Sequence, residues 1–335
     1  MGTLPSNNSL TCIPGLLVGH YTDQEAASGV SLVICPQGAV AGVDVRGAAP
    51  GTRETDLLNP VNLIEKVQAV VLSGGSVYGL MHSDTVVRWL ADQGYGFPLD
   101  ETHVAPIVPA AVLYDLGRGN TFVPPITPEW ALQACREAGN EPVASGCRGA
   151  GTGALAGSIK GGLGSAACLL DSGHLVAALI AVNSNGSVIN PTTGRPWEIG
   201  LESEQEFGPQ SSRSVRLPSA PESEPAQNTT IGIVATNAAL TKPQATKIAQ
   251  MAQDGLARSI RPAHTMFDGD TIFCLATGER ALADTAGFFQ VKAAQAVNDI
   301  GQAAADCVSR AIIQAVLSAE SVGSMKAFCD LPDRG

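Results

Sequence analysis

The sequence predicts an α/β protein, on three observations. Short β-rich runs alternate with Gly/Pro turns and helical stretches through the first two hundred residues. A segment rich in Pro, Ser and Glu then breaks the pattern. Beyond it come a strand, a helix, a second strand and a long Ala-rich helix. At 335 residues the chain can bury a large core, as one large domain or two ordinary ones.

Taken in order, Ser31 to Cys35 and Ala39 to Val45 read as strands flanking a turn at Pro36-Gln37-Gly38. Val67 to Leu72 reads as a strand that ends in Ser73-Gly74-Gly75-Ser76. A helix follows from Val77 to Gln93, closed by Gly94. His174 to Val182 is a nearly continuous apolar run, the pattern of a strand buried on both faces. Leu201 to Asn228 has few apolar anchors, so burial cannot offset its ordering entropy, and a mobile acidic linker is expected. Thr230 to Thr236 is the next strand. Pro243 to Ile260 is a helix with Pro in its first turn and Ile248, Met251, Ala252 and Leu256 on one face. Asp270 to Ala276 and Ala286 to Ala319 complete the set as strand and helix.

Composition excludes some functions. The net charge of −11 argues against nucleic acid or an anionic membrane as partner. No apolar stretch is long enough to span a bilayer. The first ten residues lack a basic region followed by an apolar run, and the eight cysteines are scattered without a CxxC. A cytoplasmic protein with reduced cysteines is expected. The five histidines have no ligand spacing, so a zinc site is not expected.

Candidate chemistry sits at few places. Gly149-Ala150-Gly151-Thr152-Gly153 and Lys160-Gly161-Gly162-Leu163-Gly164 fit no phosphate-binding motif in register. Their glycines can serve tight turns, or their amides can line an oxyanion site. Asp268-Gly269-Asp270 can be a capped turn, a cation loop or a pair that tunes a nearby amine. Thr229 lies where the acidic segment meets a buried strand. If the preceding bond were cut, Thr229 would offer a hydroxyl nucleophile and, on the same residue, an α-amine as base. Its amine would have a pKa of roughly 8.

At this junction the sequence resembles the family of L-aminopeptidase/D-amidase-esterases, β-peptidyl aminopeptidases and nylon-oligomer hydrolases. The resemblance runs from Ile13-Pro14-Gly15 through Gly42-Val43-Asp44-Val45-Arg46-Gly47, Leu72-Ser73-Gly74-Gly75-Ser76 and Val108 to Asp115. It continues to Asn228-Thr229-Thr230-Ile231 and His264 to Thr271. It implies a four-layer α-β-β-α sandwich and one inactive chain that cuts itself between Asn228 and Thr229. Fragments 1–228 and 229–335 would then form a single hydrolase domain, with residues 1–200 as the core of the larger piece. It also implies roles: Thr229 as nucleophile, Asp268 and Asp270 beside it, Asn183 near the oxyanion, and Tyr114, Gly74 and Gly75 in the pocket. One departure stands out. Nylon hydrolases carry a catalytic Lys after an Ala-Gly step, whereas here Ala156-Gly157 precedes Ser158 and the lysine is Lys160. Lys160 either replaces that lysine or shapes the loop.

The expectation is therefore a self-processing, cofactor-free amidohydrolase of short peptides or amino-acid-like oligomers. Its partners would be its own second fragment and further protomers in a homo-oligomer. Two rivals stand beside it: an acyltransferase of the ornithine acetyltransferase type, and a non-catalytic oligomeric relative that never cuts itself.

Overall fold

A nine-stranded sheet carries the fold in the computed structural model, which describes residues 2–218, 228–282 and 291–334. The strands are β1 (Leu17–Asp23), β2 (Ser28–Val45), β3 (Gly51–Arg53), β4 (Lys66–Ser73), β5 (Ala110–Val112), β6 (Gly162–Leu169), β7 (Leu175–Val182), β8 (Ile231–Ala238) and β9 (Thr271–Arg280). Their order is β6-β7-β8-β9-β2-β4-β5-β3, with β1 also paired to β2. Only β8–β9 and β4–β5 run parallel. The helices are α1 (His82–Asp92), α2 (Pro128–Arg136), α3 (Lys242–Ser259) and α4 (Val291–Leu317).

Three apolar clusters hold these elements. One joins α3 and α4 to Val176, Ala178, Ile180, Val234, Ile272 and Cys274 on the sheet. The alternate residues of the same strands, among them Ala177, Leu179, Ile231, Ile233 and Phe273, turn the other way. They share a second cluster with Val33, Val70 and Leu72 that contains no α-helical residue. A third joins Val30, Leu32, Ile34, Ala69 and Val71 to α1 and α2. The period of two along each strand thus divides helix-facing from strand-facing side chains. The α/β class, with a large sheet and flanking helices, is as the sequence predicts.

Close approach explains two glycines. A Cβ on Gly164 would lie 2.0 Å from the Ala311 carbonyl oxygen, so α4 rests directly on the backbone of β6. A Cβ on Gly42 would meet the Thr246 nitrogen at 2.3 Å, which lets α3 cross β2. At the start of α3, Gln244 Oε1 accepts the Thr241 N–H at 2.9 Å, and Pro243 occupies the first turn.

Three expectations are corrected. Pro36-Gln37-Gly38 is not a turn between two strands. It is a bulge inside the 18-residue β2, where the register jumps from Ile34↔Ala69 to Ala39↔Val67. Both sides continue to pair with β4, which keeps the strand whole. The helix expected from Val77 opens as a 3-10 turn over Ser76–Met81 and becomes α-helical only at His82. The expected mobile linker is anchored to the core at separate points as far as Val215. Phe207 and Val215 are buried, and Glu206 pairs with Arg310 on α4. Its anchors are few, but each reaches a buried partner. Residues 219–227 and 283–290, which hold the rest of that segment and the expected start of α4, lie outside the described residues.

Candidate active site

The apolar run of β7 ends at Val182, and the buried Asn183 follows it at the strand's C-terminal end. Asn228 and Thr229 lie just before β8. Asn228 forms a parallel bridge with Asp268, two residues before Asp270 and three before the start of β9. The ends of three adjacent strands therefore meet at one peptide bond.

That bond is clasped from both sides. The Thr229 N–H donates to the Asn183 carbonyl oxygen at 2.5 Å. The Thr229 hydroxyl donates to the Asn228 carbonyl oxygen at 2.7 Å. The Gly269 N–H reaches both oxygens, the Asn228 carbonyl and Thr229 Oγ1, at 3.2 Å each. Thr229 is 6% exposed, so few waters compete for these contacts.

The two aspartates build the loop around this bond. Asp270 Oδ1 accepts the Thr230 N–H at 2.9 Å, and Oδ2 accepts from His264 N and Nδ1 at 3.1 and 2.8 Å. Asp268 Oδ2 accepts from the N–H and hydroxyl of Thr265 at 2.8 and 2.6 Å. Its Oδ1 has a longer contact, 3.4 Å, from the Asn185 N–H. Neither carboxylate bonds Thr229 directly. They fix the loop that presents Gly269 and hold Thr230, the residue just before β8, behind the hydroxyl.

Asn183 meets Thr229 through its backbone, while its side chain ties other loops together. Nδ2 donates to the Tyr114 carbonyl oxygen at 3.0 Å, and Oδ1 accepts from Leu155 N at 3.0 Å and from Arg118. Tyr114 thus touches Asn183 with its main chain. Gly74 and Gly75 stand one step further out. Gly75 N donates to Asp115 Oδ1 at 2.6 Å, and a Cβ on Gly74 would lie 2.1 Å from Asp115 Oδ2. Burial raises the Asp115 carboxyl above its usual range, against the Gly75 N–H and nearby Arg118.

Lys160 is fully buried, and its ammonium donates to the carbonyl oxygens of Gly151, Ala154 and Gly161 at 3.1, 2.9 and 3.1 Å. All three of its donors are thereby used within the glycine-rich loop. Burial pulls its pKa down to about 8.

Arg118 was not anticipated. Its Nη1 donates to the Gly153 carbonyl oxygen at 2.8 Å and to Asn183 Oδ1, and its Nη2 to Asn228 Oδ1 at 3.3 Å. Burial lowers its pKa to about 10, opposed by Asp115 and Tyr114, so it stays charged at neutral pH. The one hint was a lone arginine between Gly117 and Gly119. His264 and Thr265 were visible only as part of a longer matching run. No group of three or more His, Cys, Asp or Glu among the described residues could hold a metal ion. No described helix is long and apolar enough to cross a membrane.

Comparison with known proteins fits this arrangement. The sequence matches Peptidase family S58 over residues 8–328. It is 44% identical to an uncharacterized aminopeptidase of Mycobacterium leprae (strain TN), over 97% of this chain and 94% of the relative. It is 28% identical to the 6-aminohexanoate-oligomer endohydrolase of Kocuria sp. (strain KY2), over 90% of this chain and 84% of the relative. Two solved structures share the fold. A Burkholderia sp. β-aminopeptidase superposes with a TM-score of 0.73 at 24% identity, over 98% of this chain and 91% of that one. The L-aminopeptidase D-Ala-esterase/amidase of Ochrobactrum anthropi, described as a variant of the Ntn hydrolase fold, gives 0.73 at 22%, over 97% and 90%. With the family match spanning nearly the whole chain, this protein belongs to peptidase family S58 and is a hydrolase acting on peptide or amide bonds.

Proposed function

We propose that the chain cuts itself between Asn228 and Thr229 and then hydrolyses amides with Thr229 as its N-terminal nucleophile. One observation carries this reading. The buried Thr229 hydroxyl sits 2.7 Å from the carbonyl oxygen of its own preceding peptide, and Gly269 N–H is aimed at both.

In the uncut chain, Thr229 Oγ1 attacks the Asn228 carbonyl carbon and its proton passes to the departing Thr229 nitrogen. The Gly269 N–H stabilises the oxyanion that forms; one such donor typically contributes about 3 kcal/mol to lowering the barrier. The C–N bond breaks and an ester links Asn228 to Oγ1. Water hydrolyses the ester, leaving a carboxylate on Asn228 and a free amine on Thr229. The Asn183 carbonyl oxygen, already on the Thr229 nitrogen, keeps that amine in place. In turnover the amine, directly or through a water, takes the hydroxyl proton as Oγ1 attacks a substrate amide. The leaving amine carries a proton away, and water releases the acyl group.

In this scheme Asp268 and Asp270 are positioning residues, and Lys160 braces the 151–154 loop beneath Arg118. The names of the relatives support short peptides or amino-acid-like oligomers as substrates. Intact mass with N-terminal sequencing tests the reading. Purified 34.3 kDa chain should yield a fragment beginning Thr229-Thr230-Ile231 without added protease. Thr229→Ala should remain one inactive chain, whereas Thr229→Ser keeps the hydroxyl and should be cut. A fragment that starts elsewhere removes Thr229 from the role.

A further inference from the structure

We propose that Asn228 in the uncut chain occupies the slot of a substrate's acyl residue, and that Arg118 selects there a side chain ending in a carboxylate or carboxamide. This rests on the nucleophile reading above. The same Oγ1 forms an ester with Asn228 during self-cutting and with the substrate's acyl group during turnover. The two acyl groups must therefore present their carbonyl carbons to Thr229 from the same place. What surrounds Asn228 is then what surrounds the substrate residue.

Three contacts define that slot. The Asn228 N–H donates to the Phe267 carbonyl oxygen at 3.3 Å, and the Asn228 carbonyl accepts from Gly269 N at 3.2 Å. A substrate residue can reproduce both with its α-nitrogen and its scissile carbonyl. The third contact reads the side chain, since Arg118 Nη2 donates to Asn228 Oδ1 at 3.3 Å. The guanidinium is held for this by Gly153 and by Asn183, both buried.

Once Asn228 withdraws, Nη2 keeps its charge and loses this partner. An Asn or Asp side chain restores the bond, and Asp adds a charge-assisted pair. Leu leaves that donor without its partner beside the buried Thr229, and Lys sets like charges together. A hydrogen bond to a charged group corresponds to about ten-fold in rate.

Two measurements test the slot. The first compares aminoacyl p-nitroanilides of Asp, Asn, Leu and Lys on processed wild-type protein. The Asp and Asn compounds should exceed Leu in kcat/KM by about ten-fold, with Lys lowest. The second uses the chain's own residue as reporter. Asn228→Asp should keep cutting, whereas Asn228→Leu should cut about ten-fold more slowly. That ratio should collapse toward one when Arg118→Gln is added, and Arg118→Lys, which keeps the charge, covers a folding failure. Equal handling of Asn, Asp and Leu by protein that does cut at Thr229 overturns the side-chain selection alone. A chain that never yields a fragment beginning at Thr229 overturns the nucleophile reading and the slot with it.

Discussion

The backbone N–H of Gly269 points at Thr229 Oγ1 from 3.2 Å. A Cβ on Gly269 would lie 2.8 Å from that oxygen and 2.6 Å from the Ala49 carbonyl oxygen, which is backbone and cannot swing away. Gly269→Ala is therefore expected to push the amide off the hydroxyl and slow self-cutting by about ten-fold or more. A time course on a denaturing gel reads this directly. Cutting at the wild-type rate would remove the Gly269 amide from the mechanism.

Asp270 accepts from one backbone amide beside Thr229 and from two nitrogens of His264. An Asn there turns one oxygen into an NH2 that faces a donor. Asp270→Asn should lose about 1–3 kcal/mol of stability, and its cutting should slow because either the Thr230 anchor or the His264 contacts lose their acceptor. His264→Ala, which removes only the ring bond, should be milder. Urea unfolding of the uncut Thr229→Ala background separates the stability effect from processing. Unchanged midpoint and unchanged rate in Asp270→Asn would show that the strand start is held from elsewhere.

Lys160 gives a pH signature. Burial lowers its folded pKa to about 8 from 10.5, so the unfolded chain binds more protons between those values. The cost of the buried ammonium is fully present below pH 8 and is relieved as pH rises toward 10.5. On the uncut Thr229→Ala background, the chain with Lys160 should therefore gain stability relative to Lys160→Met across that window, by about 3 kcal/mol in full. Paired urea midpoints at pH 7, 9 and 10 measure the difference, which also cancels the titration of the cysteines. A flat difference would mean that the three carbonyls keep the ammonium charged throughout.

Glu206 fixes the acidic segment to α4 through a two-pronged bond, Arg310 Nε to Oε1 at 2.6 Å and Nη2 to Oε2 at 2.7 Å. Their side chains are 4% and 7% exposed, so neither charge has water to fall back on. Glu206→Ala should cost about 3–5 kcal/mol and open residues 201–218 to limited proteolysis. Wild-type resistance to protease in this variant would mean that Phe207 and Val215 suffice as anchors.

Much of this was legible in the sequence because local rules governed it. The apolar run before Asn183, the first-turn Pro243 and the break at Gly94 each reflect backbone preferences that act over a few residues. The bulge in β2 was not legible, because Pro36-Gln37-Gly38 has turn chemistry and only the pairing with β4 overrides it. The acidic segment misled for a related reason. Its composition is that of a solvated chain, yet Glu206 finds Arg310, 104 residues away, in the folded state. At the candidate site, residue chemistry alone left Asp268-Gly269-Asp270 open between a turn, a cation loop and an amine-tuning pair, and the family resemblance singled out Thr229, Asp268 and Asp270. Arg118 was not singled out, since its meaning depends on Asn183 and Asn228, 65 and 110 residues distant.

The strand order has a last consequence. β8 and β9 both follow Thr229, yet their outer neighbours β7 and β2 belong to the first 228 residues. Each seam is a ladder of six residue pairs, and α4 also packs across β6 and β7. A molecule severed at Thr229 is therefore two polymers laced together through the middle of one sheet. Assembly of such a sheet from separate pieces is second order, so its recovery from urea depends on dilution. The uncut Thr229→Ala chain keeps its pieces tethered and should refold at concentrations where the severed protein cannot. Under the proposed self-cutting, folding first and cutting afterwards would make the finished enzyme a product that its own fragments do not readily rebuild.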